Sequence, residues 1–159
     1  MAKNPDPNLK LTSLKGVTRT LDDWSTMFHV ALIVLPPRPE GARWLPAARR
    51  IFATFGDADC HLAFCVPGTE ATARRVLGSA VDETIVFVDP DRELMTSLGL
   101  ELLPAFVHLR QDTTLVEAAE GWNPRQWQQV ARGLAKAMAW SEPEVSKPGD
   151  PAPGTAWPA

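Results

Sequence analysis

The stretch that decides the fold is GLELLPAFVHLRQDTTLVEAAEGWNPRQ, residues 99–126. Pro104 opens an apolar run, and a strand accepts proline at its first residue because no ladder hydrogen bond is lost there. Polar turn residues separate this run from a second apolar run that ends before Gly121, which indicates a hairpin. Asn123 and Pro124 then combine a helix N-cap with a proline in the first turn. The stretch therefore predicts two antiparallel strands followed by a helix.

Upstream of this stretch, short apolar runs alternate with segments of helical spacing. Residues 30–35 are continuously apolar, which is typical of a central strand covered on both faces. Asp89 can cap a helix whose first residue is Pro90. The predicted strands are 30–35, 60–66, 84–88, 105–109 and 115–119; the predicted helices are 21–28, 42–55, 70–77, 90–98 and one starting at 124. This order predicts an α/β fold whose central sheet is parallel except for the last hairpin, with helices on both faces.

Composition and charge exclude several classes of function. The chain has 159 residues, enough for one domain, and its net charge of -3 argues against a nucleic-acid partner, which would require clustered Lys and Arg. No segment approaches the roughly 20 apolar residues that span a bilayer, so a membrane partner is not expected. The polar start of the chain lacks the apolar core of a signal peptide, and we expect a cytoplasmic protein.

The chain divides into three parts by composition. Residues 1–16 form an N-terminal extension with little periodicity, and residues 17–140 carry all the predicted strands and helices. Residues 141–159 are rich in proline and poor in aliphatic side chains, which predicts a disordered tail.

The two cysteines, Cys60 and Cys65, fall in a single predicted strand. Their spacing of five residues puts the side chains on opposite faces, about 16 Å apart along the strand. A disulfide needs Cα atoms within about 7 Å, so the two thiols do not pair while the strand is folded. We expect two buried, reduced thiols.

The stretch from Gly99 to Gly121 resembles the part of the thioredoxin superfamily in which a strand begins with a cis proline, here Leu103-Pro104. The additional strand and helix before Gly99 look like the insertion of peroxiredoxins and TlpA-like thiol-disulfide proteins. The resemblance covers residues 17–140 and implies a thioredoxin-like fold with a mixed central sheet. A generic flavodoxin-like α/β domain is the alternative.

The reactive site of this superfamily lies where a helix follows the first central strand, because a helix N-terminus stabilises a thiolate. The resemblance puts the CxxC window on Arg38-Pro39-Glu40-Gly41, which contains no cysteine, and the buried acid of the family on Leu32. The peroxiredoxin pattern PxxxTxxC, started at Pro36, puts Glu40 at the threonine and Arg43 at the peroxidatic cysteine. Neither pattern retains its nucleophile.

Other catalytic or cofactor sites find little support. His29, His61 and His108 lack the close spacing of metal-ligand motifs, so no metal site is predicted. No phosphate-binding, nucleophile-elbow or zinc-protease motif occurs, and no cofactor is expected. Asp89 and its acidic neighbours are better explained as charge at the N-terminus of a helix.

What remains at the usual site is a surface, which consists of the cis-proline element Leu103-Pro104 and a proline-rich loop. The loop residues are Pro36, Pro37, Arg38, Pro39, Glu40, Gly41 and Arg43. In the superfamily this groove binds extended polypeptide as an added strand. The resemblance therefore predicts a redox-inactive module that binds a protein or peptide partner.

Two other functions stay open. The chain could be a thiol oxidoreductase or peroxidase that acts through Cys60 or Cys65. It could also be a subunit of a larger assembly that docks through Trp122, Trp140 or Trp157.

Overall fold

The computed structural model describes all 159 residues. Seven strands form one mixed sheet in the order β2-β1-β5-β4-β3-β7-β8, and β6 and β9 form a separate two-stranded ladder. The strands are β1 Lys10–Ser13, β2 Thr18–Thr20, β3 His29–Val34, β4 Cys60–Pro67, β5 Ile85–Asp89, β6 Leu102–Leu103, β7 Ala105–Leu109, β8 Leu115–Glu120 and β9 Trp157–Pro158. The helices are α1 Leu21–Ser25, α2 Leu45–Phe55, α3 Glu70–Leu77, α4 Glu93–Leu98 and α5 Pro124–Ala137, with 3₁₀ turns at Pro39–Trp44 and Gly78–Asp82.

Strand β3 lies at the centre of the sheet, parallel to β4 and antiparallel to β7. Its side chains enter two cores in alternation, because successive residues of a strand point to opposite faces. Helices α2, α3 and α5 cover one face, and α1 and α4 cover the other. The predicted α/β architecture, with a mixed sheet that ends in the β7–β8 hairpin, is confirmed.

Helix α4 begins three residues later than the sequence predicts. Arg92 adopts a left-handed conformation at the helix start, with φ of 55°, so Pro90 lies in a turn outside the helix. Asp89 still caps the helix, but from a distance. Its buried carboxylate accepts the backbone N–H groups of Leu94 at 3.1 Å and Met95 at 3.3 Å.

The N-terminal segment belongs to the sheet and is not a separate extension. Strand β1 pairs with β5 and with β2, and Leu11 is buried in the core on the α4 face. The side-chain oxygen of Asn4 accepts the backbone N–H of Leu115 at 2.9 Å. The predicted boundary at residue 16 is therefore wrong. Four-residue strands give too short a pattern for hydrophobic periodicity to reveal.

The structure also differs from the predicted disordered tail, because residues 141–159 pack along the domain. Val145 is fully buried in the core beneath α2 and α5, and its carbonyl accepts Arg50 at 2.8 Å. Asp150 forms an ion pair with the same arginine. The indole N–H of Trp122 donates to the Pro151 carbonyl at 2.8 Å. The proline-rich composition predicts disorder, but the buried Val145, the ion pair of Asp150 and the hydrogen bond to Pro151 hold the segment on the domain.

Candidate functional site

The register of the sheet brings the proline-rich loop next to the cis-proline element. Strand β3 ends at Val34, immediately before the loop, and Val34 pairs with Ala105 of β7. Pro104 precedes Ala105, and the peptide bond between Leu103 and Pro104 is cis. The loop and the cis-proline element therefore lie at the same end of the sheet, at the start of α2.

The loop turns tightly into the 3₁₀ segment Pro39–Trp44. Pro36 and Gly41 are buried, and the Gly41 N–H donates to the Arg38 carbonyl at 2.9 Å. A side chain at position 41 would collide with the carbonyl oxygen of Pro36, so only glycine fits there. Arg38 and Arg43 are exposed, and Pro37 and Glu40 are half-buried.

No sulfur atom belongs to this loop. Arg38-Pro39-Glu40-Gly41 contains no cysteine, and Leu32, where the family has a buried acid, is an apolar core residue. Arg43, on which the resemblance places the peroxidatic cysteine, is an exposed arginine. The loop before α2 therefore carries no thiol, and its one carboxyl group is the half-buried Glu40.

Cys65 lies close to this end of the sheet but on the other face. It pairs with Val34, and its carbonyl accepts the Leu35 N–H at 3.0 Å. Its side chain is fully buried in the core formed with α4, whereas α2 packs on the opposite face. Burial, together with the nearby Asp89 carboxylate, raises the pKa of the Cys65 thiol well above its usual value. Cys65 is an inert core residue.

Cys60 lies at the other end of β4 and packs against the α2 face, so the two thiols occupy opposite faces and are unpaired, as predicted. It is half-buried and lines a cavity of about 480 Å³ together with Trp24, His61 and Arg19. Burial raises the pKa of Cys60 to about 12. The thiol is therefore protonated at neutral pH and a poor nucleophile.

The strand edge beside Pro104 is already paired. Strand β9 of the tail runs antiparallel to β6, with Leu102 opposite Pro158 and Leu103 opposite Trp157. The Ala159 N–H donates to the Glu101 carbonyl at 2.9 Å. A segment of the same chain thus lies as an added strand in the groove where the resemblance implies polypeptide binding.

Trp157 connects the two parts of the site. Its ring meets the ring of Trp44 edge to face, with centroids 5.5 Å apart, and the Arg38 guanidinium lies 5.1 Å from its centroid. An arginine at this distance from an indole makes a favourable cation–π contact. Trp44 is completely buried, yet its indole N–H has no hydrogen-bond partner. We call the surface formed by Arg38, Trp44 and β6 the groove.

Nothing in the sequence analysis indicated that the tail occupies this groove. The contact joins residues 103 and 157, which are far apart in the chain. The one available sign was an aromatic residue, Trp157, at the end of a tail rich in proline and poor in aliphatic side chains. A large apolar side chain in such a context often has a packing partner.

The three tryptophans that were candidates for docking differ in exposure. Trp122 is buried and packs edge to face on Trp127, which excludes it as a docking residue. Trp157 is half-buried in the groove. Trp140 is 41% exposed, and its indole N–H donates to the Thr54 carbonyl.

Two of the three histidines form a pair that sequence reasoning missed. Nδ1 of His29 lies 2.8 Å from Nε2 of His108, which is fully buried. Burial is the largest cause that lowers the pKa of His108 to about 4, with His29 and Arg110 adding to it. His61 packs edge to face on Phe28 instead. No group of three metal-ligating side chains occurs in the structure.

No helix is both long and apolar enough to cross a membrane. No protein-family model and no curated protein sequence matches the chain. Many solved structures do match it, and they include thiol-disulfide proteins.

The thioredoxin domain of a thiol-disulfide oxidoreductase from Bacteroides vulgatus is 13% identical with a TM-score of 0.65, over 84% of this chain and 99% of that one. A secreted Mycobacterium tuberculosis disulfide oxidoreductase homologous to E. coli DsbE is 15% identical with a TM-score of 0.60, over 83% and 96%. The exposed lipoprotein thioredoxin Etrx1 from Streptococcus pneumoniae is 20% identical with a TM-score of 0.62, over 82% and 98%. At these identities the comparison establishes the fold, which is thioredoxin-like, and sets aside the flavodoxin-like alternative.

Proposed function

We propose that this protein is a redox-inactive thioredoxin-like module that binds an extended segment of a partner protein in the groove. The observation that carries the proposal is the antiparallel pairing of β6 with an extended segment, beside a helix start that has no sulfur. Backbone pairing of this kind gives affinity, and the neighbouring side chains give specificity.

The groove has the properties that such binding requires. Two prolines stiffen the loop ahead of Arg38, so little conformational entropy is lost on binding. The completely buried Leu103 fixes β6 against the core. The exposed Arg38 and the ring of Trp44 together suit an aromatic side chain of the ligand.

The second candidate is a thiol enzyme that acts through Cys60; its support is that Cys60 lines a cavity and that the structural neighbours are thiol-disulfide proteins. With a pKa of about 12, roughly one Cys60 in ten thousand is ionised at pH 8. An enzyme of this kind needs a thiolate at neutral pH. The geometry therefore favours polypeptide binding.

A pair of thiol assays separates these functions. We expect insulin reduction by dithiothreitol to proceed at the rate of buffer alone, whereas a thioredoxin with a CxxC motif accelerates it. We also expect Ellman's reagent to leave Cys65 unmodified and to react with Cys60 only slowly in the folded protein, with both reacting quickly in guanidinium. Catalysed insulin reduction that disappears in Cys60→Ser would contradict the proposal.

Polypeptide binding is tested by selecting 12-residue peptides from a phage library against the full chain. The selected peptides are then titrated into ¹⁵N-labelled protein. We expect the largest amide shifts at Glu101, Leu103 and Trp44, because an added strand changes the environment of these groups. Shifts that cluster instead around the Cys60 cavity would place binding elsewhere and refute the groove as the site.

A further inference from the structure

We infer that residues 156–159 are a built-in competitor for the groove, and that the partner displaces them with an extended segment that carries an aromatic side chain in the place of Trp157. This inference rests on the proposed function and names both the ligand class and its regulation. It follows from how the tail is held, from the register of β9 and from the chemistry around Trp157.

The tail has a fully buried side chain and an ion pair before residue 155, and neither of these beyond it. Val145 is fully buried, Asp150 pairs with Arg50, and the Thr155 carbonyl accepts the Trp122 N–H at 2.9 Å. Residues 156–159 contain no fully buried side chain; they rest on a two-residue ladder and on the contact of half-buried Trp157 with Trp44. Segments with little burial and few backbone bonds open first. The last four residues can therefore leave the groove while the rest of the tail stays docked.

The register explains why an aromatic–proline pair fits this strand edge. In an antiparallel ladder, hydrogen-bonded pairs alternate with pairs that exchange no backbone bonds. Because the Ala159 N–H donates to Glu101, the next pair, Pro158 with Leu102, is of the second kind. The missing N–H of Pro158 therefore costs no ladder bond. Trp157 comes next, where its side chain contacts the loop.

The surroundings of Trp157 select an aromatic ring. Trp44 presents an edge-to-face contact, and Arg38 presents a cation at 5.1 Å. An aliphatic side chain would keep the apolar contact but lose the attraction of the ring for the guanidinium. A lysine or arginine would face Arg38 with like charge.

The present occupant leaves one buried group unsatisfied. The indole N–H of Trp44 is buried without an acceptor while the tail lies in the groove. A buried donor without a partner costs about 1–3 kcal/mol, so this seating is less favourable than one that supplies an acceptor.

The test uses the synthetic peptide PAPGTAWPA, which repeats residues 151–159, labelled at its N-terminus. Its fluorescence anisotropy is followed on titration with full-length wild type, Trp157→Ala and the matched control Trp140→Ala. If residues 156–159 cover the groove about nine-tenths of the time, the wild-type affinity is reduced about tenfold. We therefore expect Trp157→Ala to bind the peptide up to about tenfold more tightly than wild type, and Trp140→Ala to bind like wild type.

Two further measurements test the aromatic requirement and the location. The peptide PAPGTAAPA should bind Trp157→Ala much more weakly than PAPGTAWPA. Adding Arg38→Ala to Trp157→Ala should weaken binding of PAPGTAWPA about two- to fivefold, as expected for loss of one exposed cation–π contact.

The outcomes separate the inference from the function on which it rests. Equal affinity of wild type and Trp157→Ala would refute the built-in competitor, while binding that still depends on Arg38 would leave the groove as a polypeptide site. Equal affinity for the two peptides would refute the aromatic requirement. If neither protein binds PAPGTAWPA and no library peptide maps to Leu103, the inference and the proposed function both fail.

Discussion

Replacing Val145 with alanine tests whether the tail is part of the folded domain. Val145 is 0% exposed and lies in the core beneath α2 and α5, although it belongs to a proline-rich segment. Its backbone N–H donates to the side chain of Gln128 at 3.0 Å, so the main chain is fixed at this point. The alanine variant removes only apolar side-chain volume and leaves these backbone contacts in place.

The expected loss follows from the two methyl groups removed. Each buried methyl contributes about 0.8 kcal/mol, and the cavity left behind adds to this, so the free energy of unfolding should fall by about 2 kcal/mol. For a chain of 159 residues, each kcal/mol shifts the melting temperature by about 2–4 °C. The melting temperature should therefore fall by about 4–8 °C.

Guanidinium unfolding followed by tryptophan fluorescence and calorimetry measures these changes. Val17→Ala is the matched control, since Val17 is 39% exposed and its loss should cost less than about 0.5 kcal/mol. If Val145→Ala is as stable as this control, residue 145 is not buried in solution, and the account of a docked tail is wrong.

Two other predictions concern buried polar groups. The pKa of His108 is lowered to about 4, so between pH 4 and pH 6.5 the unfolded chain binds more protons than the folded protein. The free energy of unfolding should therefore be highest above pH 6.5 and should decrease by up to about 3 kcal/mol as the pH falls towards 4. Guanidinium unfolding should show about 2 kcal/mol of this loss between pH 7 and pH 5, and an unchanged pH dependence in His108→Leu would show that His108 is not its source. Asp89→Ala should destabilise the protein by about 1.5–3 kcal/mol, since two N–H groups of α4 lose a charged acceptor. The exposed neighbour Asp91→Ala should change stability little, and equal thermal shifts for the two variants would show that Asp89 does not cap α4.

The order of the main strands and helices from α1 to α5 could be predicted from the sequence, because each of them repeats its apolar residues at one period. Strand β3 is apolar from Val30 to Val34. The start of α5 is indicated by Asn123, whose side chain accepts the Gln126 N–H at 3.2 Å. The start of α4 could not be predicted, because a proline such as Pro90 is as typical of a first helical turn as of the turn before a helix. Only the left-handed conformation of Arg92 shows that the helix starts after it. Local pattern does not distinguish these alternatives.

The candidate site could be predicted from the sequence only in part. The loop and Leu103-Pro104 could be located through the resemblance, since they lie in adjoining elements of a known order. The docked position of the tail could not be predicted, because it depends on single residues that contact partners far away in the sequence, such as Trp157 on Trp44. Composition averages over such residues and therefore favours disorder for a segment held by a few contacts. The His29–His108 pair was missed for the same reason, as its members are brought together only by the register of β3 and β7.

The tight turn at Gly41 has a consequence for anyone who would convert this domain into a reductase. Installing a cysteine at Arg38 alone is sterically easy, because that side chain is exposed. The resolving sulfur would have to stand at position 41, where the Pro36 carbonyl leaves no room for a β-carbon. Two point substitutions therefore do not restore a dithiol; the backbone from Pro36 onward would have to be rebuilt first.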